Sequence, residues 1–408
     1  MGSTLEQVLS ELLDRSHLVQ PGAIAKTLAE VARPLGVRDA TMYLADLEQE
    51  HLRATPRADG RTTPALRIDS TLAGRCYRTI EIQPGAADQD GLHHLWLPLM
   101  DGSERLGVLE LVVEDLSEAV LGHCRPLASL AGLMVVSKSA YSDTYAQVRR
   151  TREMALQAEM VWAFMAPPTF ATQDLIISCA IEPVYGVGGD AYDYSLLGDQ
   201  LHVSIFDAVG HDLPAGLITS VAMASCRYTR RAGGDLTAMV ARADHAIASQ
   251  FGGSRFATAL LCDLDVPTGR FTWIACGHPP PLLIRGNKVI KELFRRPRLP
   301  LGLPQSRDGL SVDAPVPSVH TEQLEPGDRL LLYTDGVVEA RTADGTQFGV
   351  RRLGDFVIRH SAAGVPAPET LRRLNRALLD FQHGRLADDA TTVLVEWKSD
   401  DPERHYRF

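Results

Sequence analysis

The sequence has little of what marks a secreted, membrane-spanning or nucleic-acid-binding chain. Its 408 residues hold six cysteines, at 76, 124, 179, 226, 262 and 276, with no CxxC and no paired spacing. That pattern excludes a disulfide framework or a cysteine zinc site and fits reduced, mostly buried thiols of a cytoplasmic protein. No run approaches the ~18 consecutive apolar residues of a membrane span, and no basic-then-apolar leader opens the chain. Positive charge is in deficit. The net charge is −10 with no basic stripe, so neither nucleic acid nor a membrane is an expected partner.

What is present suffices for sizeable cores. The chain is 45% apolar, and its length suggests two domains of unequal size. One stretch, 186–212, organises the rest. Gly198-Asp199 fits a two-residue type II′ turn between an aromatic-rich run and the alternating Leu201, Val203, Ile205. That loop length sets Leu197 opposite Gln200 and hence Asp190 opposite Asp207. Directly opposed side chains in an antiparallel pair have Cβ atoms ~4.5–5.5 Å apart, where two like charges repel. A hard divalent cation between them would reverse the sign. Taken alone, the spacing is also met by two solvated acids at a loop mouth, the commoner case.

Before this hairpin, residues 1–140 read as helices, then antiparallel strands around 40–44, 95–99 and 106–113 with a turn at Asp101-Gly102, then a long helix from about Ser117. The helices include one expected from Pro21 to Leu35. His93-His94 is not read as a metal site, because adjacent strand residues face opposite ways. Residues 141–168 read as a helical linker, continuous with the helix before it, ending at Pro167-Pro168. Val148, Ala155, Ala158, Trp162 and Met165 form a stripe that fits a coiled-coil homodimer seam or a helix packed on its own domains.

From 169 to 400 the order is hairpin, helix pair, hairpin, strand, helix pair, strand, followed by a 401–408 tail. Asp212 and Asp235 are N-cap candidates, and Arg295 to Pro317 reads as loop. Asp207 and Asp335 end strands, whereas Asp190 and the Asp388-Asp389 pair precede them. Antiparallel neighbours share such ends, so all can meet at one rim of two sheets flanked by helices.

Two resemblances follow. GVRDATMYLADLEQEHL, STLAGRCYRTIEIQ and LWLPLMDGSERLGVLELVV resemble a GAF domain in order and pattern, which implies a sensory role and a small ligand or partner on its sheet. VGGDAYDY, FDAVGHD, FATALLCDLDVPTGRFTWIACGHPPPLLIR, LPLGL, LLYTDGVVEAR with FGVRRL, and DDATTVLV resemble the SpoIIE-type serine/threonine phosphatases of the protein phosphatase 2C-like (PPM) superfamily. The fold class expected is therefore α+β, with a GAF-like α/β sensor, a helical linker and a C-terminal αββα sandwich.

The second resemblance implies Asp190, Asp207, Asp335 and Asp388 as catalytic metal ligands. Asp207 would bridge two Mn²⁺ or Mg²⁺ ions, with the Ala208 carbonyl as a further ligand and Asp389 the alternative within its pair. It also implies a water activated for in-line attack on phosphorus, with no cysteine or histidine nucleophile. The implied substrate is a phosphorylated anti-sigma-factor antagonist or a similar regulator. The alternative is a non-catalytic switch that binds a regulatory partner. Where the family usually has GHG, this chain has Gly210-His211-Asp212. Asp212 reads as an N-cap, His211 and His278 as loop-fixing residues, and Asp193 as pointing away from Asp190 if the strand is regular. Gly186, Gly188 and Gly189 read as points of close backbone approach.

Overall fold

The computed structural model describes residues 4–56, 63–303, 318–384 and 386–398. The loop expected over 295–317 lies outside these residues from 304 onward, as does the 401–408 tail. The chain divides into two compact units, 1–153 and 154–407.

In chain order the first unit runs α1 (Thr4–Ser16), α2 (Ile24–Val31), β1 (Val37–Ala45), β2 (His51–Ala54), β3 (Leu66–Arg67), α3 (Leu72–Thr79), β4 (Gln83–Ala87), β5 (His93–Asp101), β6 (Glu104–Val113), α4 (Glu118–Ser139) and α5 (Thr144–Arg149). The strands form one antiparallel sheet, ordered β3-β2-β1-β6-β5-β4. Its alternation is two-faced. Ala40, Met42, Leu44, Leu95, Leu97, Leu109 and Leu111 pack against α1, α2 and α4, while Tyr43, Val108 and Trp96 lie on the other face with α3.

Three expectations change in this unit. The 21–35 helix is interrupted, with 3₁₀ turns at Pro21–Ala23 and Arg33–Leu35 on either side of α2, because Pro34 cannot continue the helical hydrogen bonding. The linker is not a continuous helix. Ser142 Oγ accepts from Thr144 N (3.3 Å) and lies 2.9 Å from Thr144 Oγ1, and such local side-chain bonds compete with helix. Arg149 then donates to the Ala45 carbonyl, and the backbone is extended at Arg150 and again at Ala155. Finally, α4 is long and apolar enough to cross a membrane by length and composition. A core helix meets the same test, and Cys124, Leu127, Ala128, Ala131, Met134 and Val135 of α4 fill this unit's core.

The second unit continues with α6 (Leu156–Phe164), β7 (Thr169–Ala171), β8 (Leu175–Glu182), β9 (Asp190–Leu197), β10 (Gln200–Ala208), α7 (Leu213–Arg231), α8 (Leu236–Phe251), β11 (Ala257–Asp265), β12 (Arg270–Cys276), β13 (Leu282–Arg285), β14 (Lys288–Glu292), β15 (His320–Gln323), β16 (Arg329–Tyr333), α9 (Asp335–Glu339), α10 (Gly349–Ala362), α11 (Ala367–Phe381) and β17 (Ala390–Trp397). Two antiparallel sheets result, β15-β12-β11-β10-β9 and β14-β13-β16-β17-β8-β7. Period-two patterning assigns each strand two faces. Tyr192, Leu201, Val203 and Ile205 meet Leu330, Leu332, Val393 and Val395 between the sheets. Phe206 and Ala208 face α7 and α8, and Leu331 and Leu394 face α10 and α11, giving an αββα sandwich. From Ala155 onward the linker stripe is absorbed here, since Ala158 is buried against Ile181 and Val187 and Trp162 donates to the Val184 carbonyl (3.0 Å), whereas Val148 packs on the first unit's core.

Asp193, on the helix-facing side of β9, is buried at 2% exposure and accepts from Arg227 Nε (3.0 Å) and Nη2 (2.6 Å) and from Arg230. Arg227 also donates to the Phe164 carbonyl, joining the end of α6 to β9. Removing Arg227 takes the closest, bidentate partner from a buried carboxylate and leaves it only the longer Arg230 contacts. Arg227→Ala should therefore cost about 3 kcal/mol in urea unfolding of the full chain; a loss under about 0.5 kcal/mol, the range of surface pairs, would contradict this placement.

Candidate metal centre

Gly198 has φ +57 while Asp199 stays out of the left-handed region, as a type II′ turn requires. The hairpin closes with Leu197 opposite Gln200, and its far end sets Asp190 opposite Asp207. Both side chains share the inter-sheet parity of Tyr192 and Ile205, so they point into the gap at the open end of the sandwich. The second sheet brings its own acids to that end. Asp335 does not terminate a strand: it opens α9, two residues past β16. Asp388 and Asp389 immediately precede β17.

Asp190 is the buried centre of the group. Its Oδ2 accepts from Thr334 Oγ1 and Thr391 Oγ1, both at 2.7 Å, so one carboxylate of the first sheet is held by two hydroxyls of the second. Thr391 N in turn donates to Thr334 Oγ1 (2.9 Å). The two threonines were not singled out in the sequence, yet the signal is there: Leu330, Leu332 and Val393, Val395 alternate inward, and the same parity reaches Thr334 and Thr391.

Within the Asp388-Asp389 pair the residues differ. Asp389 is buried, and its Oδ2 accepts from the backbone N–H groups of Gly188 (2.8 Å) and Gly189 (2.9 Å). Asp388 is exposed, and its Oδ1 accepts from Asp389 N (2.9 Å). The glycines permit this closeness. A Cβ at Gly189 would lie 2.3 Å from the Ala208 carbonyl oxygen, one at Gly188 2.6 Å from the His211 carbonyl, and one at Gly336 1.9 Å from the Asp389 carbonyl oxygen. Gly186 has no such crowding.

Burial and mutual repulsion raise the carboxyl pKa values. Asp190 is driven well above the carboxylate range, first by burial, then by Asp207 and Asp389, against the opposing threonine hydrogen bonds. Asp207 is pushed up to about 7 by burial and the charges of Asp335, Asp388 and Asp389. Asp335 and Asp389 rise for the same two reasons. Among the described residues none of the five is ion-paired to a cation, and no group of three or more His, Cys, Asp or Glu is arranged as a ready-made metal cage. The donor chemistry nevertheless fits hard divalent ions: oxygen ligands only, like-charged and destabilised until a cation is supplied.

The remaining candidates sit around this centre. Asp212 caps α7 through Ala215 N (3.1 Å). His211 is exposed, and its carbonyl accepts from Gln157 Nε2. His278 is buried with Nδ1 2.8 Å from Thr258 Oγ1, the residue opposite Asp207 on β11, and burial lowers its pKa to about 3. A neutral imidazole there supports strand geometry through its one N–H and its one ring acceptor, and lacks the imidazolium proton a general acid would give up near neutral pH.

Residues 198–398 match the family described as Stage II sporulation protein E (SpoIIE). The C-terminal unit carries a SpoIIE-family domain. The match takes in Asp207, Asp335, Asp388 and Asp389, and Asp190 lies just before it. The chain is 23% identical over 247 residues to phosphoserine phosphatase RsbU of Bacillus subtilis, covering 60% of this chain and 70% of RsbU. It is 25% identical over 252 residues to protein IcfG of Synechocystis, covering 55% and 38%. Among solved structures, the SiaA-PP2C domain of Pseudomonas aeruginosa is similar at 25% identity over 54% of this chain and 85% of that one, with a TM-score of 0.46.

A carboxyl whose folded pKa is raised gives its full stability below the unfolded value and loses it as pH climbs through the folded one. For Asp207 that window runs from the ordinary 3.8 to about 7. Metal-free Asp207→Asn should therefore outlast metal-free wild type in urea at pH 8, by at most a few kcal/mol. The gap should close toward pH 4; a gap independent of pH would refute the repulsion described here.

Proposed function

We propose that the protein is a metal-dependent phosphoserine/phosphothreonine protein phosphatase. The observation that carries this reading is the convergence of five carboxylates, none ion-paired among the described residues, from two sheets at the rim of a SpoIIE-family domain. Two similar Bacillus subtilis proteins, RsbU and RsbP, are named phosphoserine phosphatases. On this reading Asp190, Asp207, Asp335 and Asp388, with the Ala208 carbonyl, would hold two Mn²⁺ or Mg²⁺ ions. Such ions, when bound, screen phosphate charge and lower the pKa of a water at the site.

The chain's own contribution is orientation. Thr334 and Thr391 fix the rotamer of Asp190 and leave one of its oxygens to the gap. Asp389 is committed to the Gly188-Gly189 backbone, which makes it the clamp of the entry loop and Asp388 the outward-facing ligand. His278 and His211 are not assigned proton transfer. The substrate class is a phosphorylated anti-sigma-factor antagonist or a similar regulator in the cytoplasm, with the N-terminal unit as a GAF-like sensor controlling the reaction. The second reading, a non-catalytic binding switch, draws on one fact: among the described residues no three acids stand as a finished cage.

Release of phosphate from a phosphoserine protein, measured with and without Mn²⁺, separates the two. The phosphatase reading expects Mn²⁺-dependent turnover, abolished by chelator and reduced at least 100-fold in Asp207→Asn and Asp388→Asn with both variants folded. Wild type and Asp207→Asn with equal turnover would remove the metal assignment, and no turnover at all would favour the switch.

A further inference from the structure

The loop from Ala208 to Asp212 has two sides. Its inner side is stacked on Gly188 and Gly189, where a Gly189 Cβ would meet the Ala208 oxygen at 2.3 Å and the Gly210 oxygen at 2.9 Å. Arg255 lies against the same loop. Its Nη1 is 3.6 Å from where a Gly210 Cβ would stand, and Val209 N donates to the neighbouring Phe256 carbonyl (3.2 Å). The guanidinium forks onto Asp212, with Nη1 to Oδ1 at 3.1 Å and Nη2 to Oδ2 at 3.0 Å.

This pair is not needed to hold the fold. The side chains are 34% and 50% exposed, where an ion pair is worth little, and Asp212 caps α7 through Ala215 whether or not Arg255 is present. Two of the five guanidinium N–H donors go to Asp212, and three remain. Arg255 is thus a fixed cation one loop away from five clustered carboxylates that have no cationic partner among the described residues. An anionic substrate approaching that rim is repelled until it meets positive charge, and a planar guanidinium held by a carboxylate suits phosphoryl oxygens better than a mobile ammonium.

We infer that Arg255 binds the phosphoryl group of the substrate at the mouth of the site, and that Asp212 is the positioning residue that aims it. The assignment rests on the phosphatase reading and adds a substrate contact outside the carboxylate centre. Asp212 therefore has two roles, capping the helix with one lone pair and orienting the guanidinium with the others.

The test compares KM and kcat of the full chain in Mn²⁺ for para-nitrophenyl phosphate and for a phosphoserine peptide. Arg255→Ala should raise KM about tenfold for both substrates while kcat changes less than about threefold, and should weaken inorganic phosphate binding in calorimetry by a similar factor. Arg255→Lys, which keeps charge and loses the fork, should recover only part of this. Asp212→Asn retains a good cap and should raise KM by less, with no further loss when combined with Arg255→Ala, since one residue acts through the other. Thermal unfolding of each variant separates misfolding from lost contact. A KM within twofold of wild type in folded Arg255→Ala or Arg255→Lys would overturn the inference, as would additive effects of the two sites. A rise confined to the peptide would show a contact to flanking residues and overturn the phosphoryl assignment. A wild-type chain that releases no phosphate from either substrate would fail the phosphatase reading first, and the assignment with it.

Discussion

The repulsion among Asp190, Asp207, Asp335, Asp388 and Asp389 is the interaction on which the second unit depends. Antiparallel pairing forces the first two into direct opposition, and the second sheet supplies the others at the same rim. A fold gains nothing from such an arrangement by itself, because burial and like charge both raise the cost of ionising these groups. Structures tolerate a cost of this kind where a ligand repays it. The contrast within β9 makes the point. Asp193, three residues from Asp190, is equally buried but faces two arginines, and so needs no ion.

The scaffold around the acids is built for close approach across the two sheets. Thr334 and Thr391 reach over to Asp190, Asp389 reaches back to the backbone of Gly188 and Gly189, and Gly336 leaves room for the Asp389 carbonyl. Apart from the Gly336–Asp389 approach, each contact joins segments more than a hundred residues apart in sequence. The site is therefore stable only when both sheets are in register, which ties the chemistry of the rim to the packing of the inter-sheet core. Arg255 and Asp212 extend the same logic outward, placing a fixed cation where an anion must enter.

Much of this was legible in the sequence because local rules decide it. A two-residue turn leaves one register for the hairpin, so the opposition of Asp190 and Asp207 could be counted. Asp212 and Asp235 cap the helices they precede, each accepting from the N–H three residues on. What resisted reading was set by distant partners. The roles of Asp388 and Asp389 separate only once the glycine loop, 200 residues earlier, is in place. The linker reads as helix, but Ser142 bonds Thr144, Arg149 is taken by the Ala45 carbonyl and Ala155 N by the Tyr185 carbonyl, so tertiary tethers override weak helical preference. Thr334 and Thr391 lie within reach of the alternation rule, but their role depends on Asp190, more than a hundred residues earlier and on the other sheet.

The central claim is that these carboxylates are metal ligands, and anomalous diffraction from crystals of the full chain grown in Mn²⁺ tests it most directly. The account predicts manganese peaks between the sheets, with carboxylate oxygens of Asp190, Asp207, Asp335 and Asp388 at roughly 2.0–2.3 Å. Saturating Mn²⁺ with no peak at that rim would contradict it.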